Sequence, residues 1–466
     1  MKITFSNLGT IKKTELDLRP LTVIIGPNNS NKTYVAYSLY GLWQAQIEGT
    51  TVSDVSDLVP WKRSAAELYF RIDSRLTARV NEYLQDVAVL FREEMSSFFQ
   101  DSSGKLFSRS RVEVELTQND LDAAFEKVIA KVRIGSVSKR GEKVLLSAPP
   151  PKGQTGATGR SGFSLEGRAA LLLSRALRFL FQKPLLLPAE RNAFIMTYKM
   201  LASRRYNVLR DAQRSLLGKR HVSKRQLDLL REQGDIRYPK PVEDFLDFLT
   251  DIELSEAEDS DDAAAREPFR ALAADIEESI QNKNKTRFRR TALGGREIQI
   301  DVRKGLSIDL YNASSSIKQL TPLLLYLRYR AKPNDFLIID EPEMNLHPES
   351  QAKLLEILGI LVNLGVHVLL TTHSPYFMSH LNNLAAGDTS DPEVLKRQAA
   401  SLYLGDPRAF VPMDKVSAYE MRDNELRSLK DEDYGIRWDT LSDVSSALQQ
   451  KYFEISETGR AGRGER

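Results

Sequence analysis

The chain has no cysteine among its 466 residues, so it can form no disulfide and no cysteine-bound zinc site. Five scattered histidines make no metal cluster. No run of 18 or more apolar residues occurs, which argues against a membrane-spanning helix. Met1 enters a strand pattern directly, without a signal-like leader, so the expectation is a cytoplasmic protein with no membrane partner. No internal repeat is apparent. What is present is 41% hydrophobic and 28% charged residues, enough to bury large cores in two to three domains or in one domain with a large insertion.

The most informative stretch is GPNNSNKT, Gly26 to Thr33, between an apolar run (Leu21 to Ile25) and a helix-like segment (Tyr34 to Trp43). A strand, a tight turn and a helix start in that order surround phosphates with backbone N–H groups. The lysine then reaches β/γ oxygens and the hydroxyl faces Mg²⁺. Gly26, Lys32 and Thr33 match the G-x-x-x-x-G-K-[ST] pattern, with Asn28, Asn29 and Ser30 in the turn. Asn31 stands where the second glycine belongs; asparagine tolerates left-handed backbone, so the turn can survive.

Downstream, Phe336 to Ile339 is a short apolar run that reads as a buried parallel strand and ends in Asp340 and Glu341. In phosphoryl transfer one acid at a strand tip helps to hold Mg²⁺ and a second residue orients the attacking water, and these two fit those roles in that order. A further strand-like run, Val366 to Thr372, leads into His373 one β-α-β unit later, at the same edge of the sheet. There it can hydrogen-bond the terminal phosphate. Ser314 to Ser316 precede a helical stripe (Ile317, Leu320, Leu323, Leu324, Leu327) that feeds the carboxylate strand.

With these residues in hand, the chain resembles the ABC-type ATPases related to SMC proteins, RecF and the overcoming-lysogenization-defect group. That group includes stand-alone ATPase subunits of PARIS-type (AriA-like) and Septu-type (PtuA-like) anti-phage systems. The resemblance is carried by KITFSNLGTIKKTELDLRPLTVIIGPNNSNKT, LLLPAERNAF, ASSSIKQL, LIIDEPEMNLHP and LLTTHSPYF. It implies an α/β fold: an ABC-type P-loop ATPase head with a mixed central sheet, N-terminal antiparallel strands and a large, mainly helical insertion. It also implies ATP and Mg²⁺ as cofactors. Lys32 and Thr33 would be the phosphate and magnesium ligands, Asp340 the second magnesium ligand, Glu341 and His373 the catalytic pair. Ser315 would be the signature serine acting in trans, although Ser316 follows it where the family has glycine, and Asn345 to His347 a dimer-contacting loop. Glu190 and Arg191 mark a segment of the group without an assigned role, and no magnesium-binding Q-loop glutamine can be placed.

The implied assembly is a homodimer or higher homo-oligomer that sandwiches ATP between heads and controls a separate effector protein, a nuclease or toxin, in anti-phage defence. The alternative is a RecF- or SMC-like ATPase of DNA repair or maintenance, with direct nucleic-acid contact. The size of the insertion disfavours a transporter motor. A nuclease fused after His373 is not expected, since Asp431 to Asp433 follows no apolar strand and reads as a charged turn. The absence of cysteine rules out the zinc hook of some SMC-like ATPases.

The expected organisation is head residues 1–44; a helical insertion 45–183 with a flexible loop at 147–164; a return to the head at 184–195; a charged helical insertion 196–284; the second head lobe 285–385; and an extension 386–466 with a disordered tail. Ala65 to Gln100 reads as one helix; Gln118 to Val132 and Arg168 to Phe181 as two more. The net charge of +3 hides segregation: Lys199 to Lys240 holds 12 Lys and Arg against 4 Asp and Glu, and Pro241 to Ile280 holds 14 Asp and Glu against 2 Arg. The two stretches either pair with each other or offer a basic surface to nucleic acid. Lys283, Lys285, Arg287, Arg289 and Arg290 alternate as in a strand, which is either a phosphate-tracking face or a salt-bridged edge.

Overall fold

The computed structural model describes all residues except 51–53, 61, 65–66, 132–136, 148–164, 201–237, 255–262, 291–295, 388–390, 432–434, 438–445 and 457–466. The loop expected at 147–164, most of the basic stretch before Lys240 and the C-terminal tail therefore lie outside the described residues.

The chain opens with β1 (Lys2–Leu8), β2 (Ile11–Asp17), β3 (Leu21–Ile25) and helix α1 (Lys32–Gly49). It continues through β4 (Lys62–Ser64), β5 (Glu67–Arg71), α2 (Ser74–Phe98), β6 (Arg111–Glu115), α3 (Gln118–Lys131), β7 (Val137–Arg140), β8 (Lys143–Ser147), α4 (Leu165–Leu180) and β9 (Pro184–Leu187). Then come α5 (Lys240–Leu254), α6 (Ala263–Ser279), β10 (Lys285–Arg290), β11 (Arg296–Arg303), β12 (Leu306–Asp309), α7 (Ser315–Tyr329), β13 (Phe336–Asp340), α8 (Pro348–Asn363), β14 (His367–Thr372), β15 (Val416–Arg422) and β16 (Glu425–Ser428).

Nine of these strands make one mixed sheet in the order β6-β1-β2-β16-β15-β3-β14-β13-β9. From β15 to β9 every neighbour is parallel, while β6, β1 and β2 form an antiparallel wing. In the parallel part the short apolar strands are buried on both faces, as crossover helices require. Their side chains alternate between two cores. Ile24, Leu186, Ile338 and Leu369 pack with α1 to α4. Val23, Leu187, Leu337, Ile339 and Leu370 pack with α5 to α8. The result is a sheet covered by helices on both sides, the expected α/β class, with the tips of β3, β13 and β14 opening at one edge.

The insertion is mainly helical, but it carries strands as well. The segment read as a helix from Ala65 to Gln100 holds a strand, β5, before α2 begins at Ser74. Leu68 and Ile72 have helical spacing, yet Leu68, Phe70 and Ile72 are all buried, which is the period-two pattern of a strand. Asp73 then caps α2, accepting N–H groups of Arg75 and Leu76 at 3.1 and 3.0 Å. β5 belongs to a separate four-stranded sheet in the order β4-β5-β8-β7, and β6 joins the main sheet beside β1. α2 packs tightly on α1: a Cβ at Gly41 would stand 2.4 Å from the Phe91 ring.

The last stretch also differs from a simple extension. β15, within 386–466, lies in the centre of the main sheet, parallel to β3. Its pattern VSAYEM is buried at every position, which marks a central strand. β10 forms as expected, in a three-stranded antiparallel sheet with β11 and β12. Two of its basic residues are paired with acids, Arg289 to Asp301 at 2.6 Å and Arg287 to Glu277 at 3.5 Å, and Lys283 just before the strand lies on Glu278 at 3.1 Å. Among the described residues, no helix is long and apolar enough to cross a membrane.

Candidate active site

β3 ends at Ile25 and the chain turns through Gly26, whose φ is 154°. Any side chain there would be strained, and its Cβ would sit 2.7 Å from the Met421 carbonyl oxygen on β15. Pro27, Asn28 and Asn29 are exposed and Ser30 is half-buried. Asn31 has φ 69°, the left-handed geometry that its side chain tolerates, and its amide donates to Thr10 Oγ1 at 2.7 Å. α1 starts at Lys32, so its first N–H groups point into the turn, as an anion site requires.

Lys32 is buried, and its Nζ lies 3.1 Å from the Gly26 carbonyl, 3.0 Å from that of Pro27 and 3.3 Å from Ser30 Oγ. Burial lowers its pKa; Glu341, Asp340 and Glu343 oppose that shift. The ammonium's three protons suffice for these three acceptors. His373 Nε2 is 3.0 Å from the same ammonium and 3.3 Å from Glu341 Oε1. With the lysine protons engaged in the loop, the imidazole N–H is free to donate to Glu341. That bond, with the nearby cations, holds the Glu341 carboxyl below the usual range, ionised at neutral pH.

Thr33 Oγ1 donates to Asp340 Oδ2 at 3.1 Å, while Asp340 Oδ1 accepts the Thr371 hydroxyl. Burial pushes the Asp340 carboxyl up to about 6, with Glu341 and Glu190 adding like charge. A carboxylate withdrawn from water beside a hydroxyl favours a hard cation, and one acid with one hydroxyl suits Mg²⁺, which takes its other ligands from phosphate and water. Among the described residues, no group of three or more His, Asp or Glu forms a self-contained metal cage. The donor set therefore fits Mg²⁺ that arrives with nucleotide.

Glu341 adopts φ 47° and its N–H donates to the Thr371 carbonyl oxygen at 3.0 Å. A left-handed glutamate costs on the order of 1–3 kcal/mol, the kind of strain found at functional turns. Two residues after it, Glu343 Oε1 accepts the Thr372 hydroxyl at 2.7 Å and the His373 backbone N–H at 2.6 Å. Arg191, 2% exposed, reaches the carbonyls of Asp340 and Glu341 from the opposite side, at 2.8 and 3.2 Å.

Gly26, Lys32, Thr33, Asp340, Glu341 and His373 thus converge at one sheet edge from segments spread over more than 300 residues. Ser315 does not join them. It is exposed in the first turn of α7, where Ser314 caps the helix by accepting the Ile317 N–H at 3.4 Å. Asn345, with φ 61°, and His347 lie in the turn between β13 and α8.

Four contributors escaped sequence reading. Glu343 and Thr371 stand next to recognised residues but carry no motif of their own. Met421 and Asn424, whose side chain accepts from Thr10 at 3.4 Å, come from the far end of the chain. Arg191 had a signal in PAER directly after an apolar run, but only contacts give it a role.

Residues 175–379 match the family described as "AAA domain, putative AbiEii toxin, Type IV TA system". The match takes in β9, Arg191, α7, the acidic turn and His373, and leaves out the phosphate loop. No curated protein matches the chain. Among solved structures, the chain is similar to an Smc head bound to the C-winged helix domain of ScpA, with 11% identity, 92% of this chain and 96% of that chain covered, and a TM-score of 0.37. It is also similar to an Smc head with an extended coiled coil bound to the C-terminal domain of ScpA, derived from Pyrococcus furiosus. That pair has 13% identity, coverage of 96% and 98%, and a TM-score of 0.33. The contact of Thr33 with Asp340 beneath a Gly26–Lys32 turn, taken with the matched family, supports a P-loop ATPase.

Proposed function

We propose that the chain is an Mg²⁺-dependent ATPase of the ABC/SMC kind whose heads pair around ATP. The observation that carries this reading is the 3.1 Å contact of Thr33 with Asp340, with Glu341 and His373 3.3 Å apart beside it. Backbone N–H groups of the Gly26–Lys32 turn and the Lys32 ammonium take the β- and γ-phosphates, exchanging the loop carbonyls for charged oxygens. Thr33 and Asp340 would hold Mg²⁺, which would supply positive charge to offset the charge that develops on the transferring phosphate. The ionised Glu341 carboxylate accepts a hydrogen bond from the attacking water and aligns it. His373, released from Glu341, donates to the terminal phosphate.

Ser315 is supported as a trans-acting residue by its exposure away from its own phosphate loop. Presented by a second copy, the start of α7 brings backbone N–H groups and serine hydroxyls to the outer side of the triphosphate. ATP then adds contacts only to the paired state, and hydrolysis removes them. We read the output as control of a separate effector in anti-phage defence. The resemblance to defence ATPases supports this, and the matched family's description places that family in a toxin–antitoxin setting. Direct DNA work draws less support, because Lys283, Arg287 and Arg289 are already paired with acids.

The test is ATP turnover with and without Mg²⁺, together with light scattering of Glu341→Gln in ATP. Turnover that depends on Mg²⁺ and a stable ATP-bound pair in the variant support the reading. A variant that hydrolyses normally sinks it.

A further inference from the structure

Arg191 is the first residue of a helical segment, 191–200, that follows β9. Its guanidinium is buried, and each of its five N–H groups has a partner. Nε donates to the Gln319 carbonyl at 3.1 Å; Nη1 donates to the carbonyls of Pro188 and Asp340 at 2.9 and 2.8 Å; Nη2 donates to the Glu341 carbonyl at 3.2 Å. With the Gln319 amide turned so that its oxygen faces the cation, that oxygen accepts from Nη2 at 2.8 Å. Every one of these acceptors is an uncharged carbonyl.

A buried cation held this way is costly unless something nearby compensates it. The acids Asp340, Glu343, Glu341 and Glu190 supply that field from a distance, and burial still lowers the guanidinium's pKa to about 10. The acceptors belong to three elements: the end of β9, the acidic turn after β13, and α7. Gln319, itself fully buried, lies one turn of helix after Ser315. A rigid planar fork therefore spans the residues that act on a head's own ATP and the helix whose start faces another head.

We infer that Arg191 is a positioning residue that couples the two halves of the paired site, fixing the Asp340–Glu341 turn of one ATP to the α7 start that completes the other. The inference rests on the paired-head reading above. Lysine cannot replace the fork, since a point ammonium offers three donors and no plane.

The test uses mixed pairs of full-length chains, purified with two different tags and loaded with ATP for a single turnover. In a pair of Glu341→Gln with Ser315→Ala, both lesions fall on one composite site, and the other site hydrolyses its ATP at the wild-type rate. In a pair of Arg191→Lys with Ser315→Ala, the second site keeps its own Gly26 loop, Asp340, Glu341 and an intact serine from the Arg191→Lys subunit. Coupling through Arg191 slows that site at least tenfold with ATP affinity within threefold of wild type. Hydrolysis there at the rate of the first pair overturns the inference and leaves the paired-head reading intact. Loss of activity at both sites in the first pair counts against the paired-head reading itself. If Arg191→Lys does not fold, Gln319→Leu removes only the α7 side-chain acceptor, and the same site should slow at least threefold; no change overturns the coupling.

Discussion

Glu343 Oε1 accepts the backbone N–H of His373 at 2.6 Å, so the turn after β13 grips the residue that follows β14. The other oxygen, Oε2, has no hydrogen-bond partner among the described residues, and burial raises the carboxyl's pKa. Glu343→Ala strands the Thr372 hydroxyl and the His373 N–H in a buried place, at about 1–3 kcal/mol per group. Urea unfolding should show a loss of about that size, and turnover should fall by tenfold or more as His373 loosens. Glu343→Gln keeps an accepting oxygen and should lie within threefold of wild type in turnover. Equal effects of the two changes would refute this role for the carboxyl.

Lys32→Ala should abolish ATP binding by calorimetry, because it removes the cation from the centre of the turn. Gly26→Ala reaches the same end by shape, as its Cβ meets the Met421 carbonyl at 2.7 Å. A loss of about 1–3 kcal/mol in stability should accompany it, in line with strain or overpacking at a tight site. Wild-type melting and ATP affinity in Gly26→Ala would show that β15 does not press on the loop.

Burial pushes the Asp340 carboxyl from the ordinary aspartate value of 3.8 up to about 6. The folded chain therefore holds that proton more tightly than the unfolded one, and this contribution to stability is full below pH 4 and is lost as pH rises through 6. Without Mg²⁺, Asp340→Asn should be more stable than wild type at pH 8 by at most about 3 kcal/mol, and the difference should vanish near pH 4. Denaturant curves at the two pH values check this. Mg·ATP should bind wild type more weakly below pH 6, because the cation must displace the proton. A difference that is independent of pH would place the perturbation elsewhere.

Arg289 already pairs with Asp301 at 2.6 Å on an exposed face. Arg289→Glu should cost no more than about 1 kcal/mol. It should also leave any salt-dependent DNA binding unchanged, since a paired arginine releases few counterions from DNA. A lower salt slope for DNA binding in the variant would restore the β10 face as a nucleic-acid contact.

The parts of this fold legible in the sequence are those where neighbours in the chain are neighbours in space. β3, the Asn31 turn and α1 form one continuous strand–turn–helix, and β13 ends on its own acids, so each could be read locally. β5 was hidden because Leu68 and Ile72 satisfy helical spacing as well as alternation, and only pairing with β8 decides between them. β15 was missed for a different reason: its partner β3 lies about 400 residues away, and the run VSAYEM, buried at every position although it includes Ser417 and Glu420, shows neither an apolar run nor an alternation to assign. Arg191 illustrates a third limit. Four of its five partners are backbone carbonyls, which every residue possesses, so no residue pattern announces them.

Because β15 lies against β3 and Met421 faces Gly26, a nascent chain cannot complete its phosphate cradle until residue 422 has left the ribosome. Fragments terminated earlier would carry every motif of the turn and still lack the wall behind it. The turn and the strand that backs it are thus joined only when the chain has been made as far as β15.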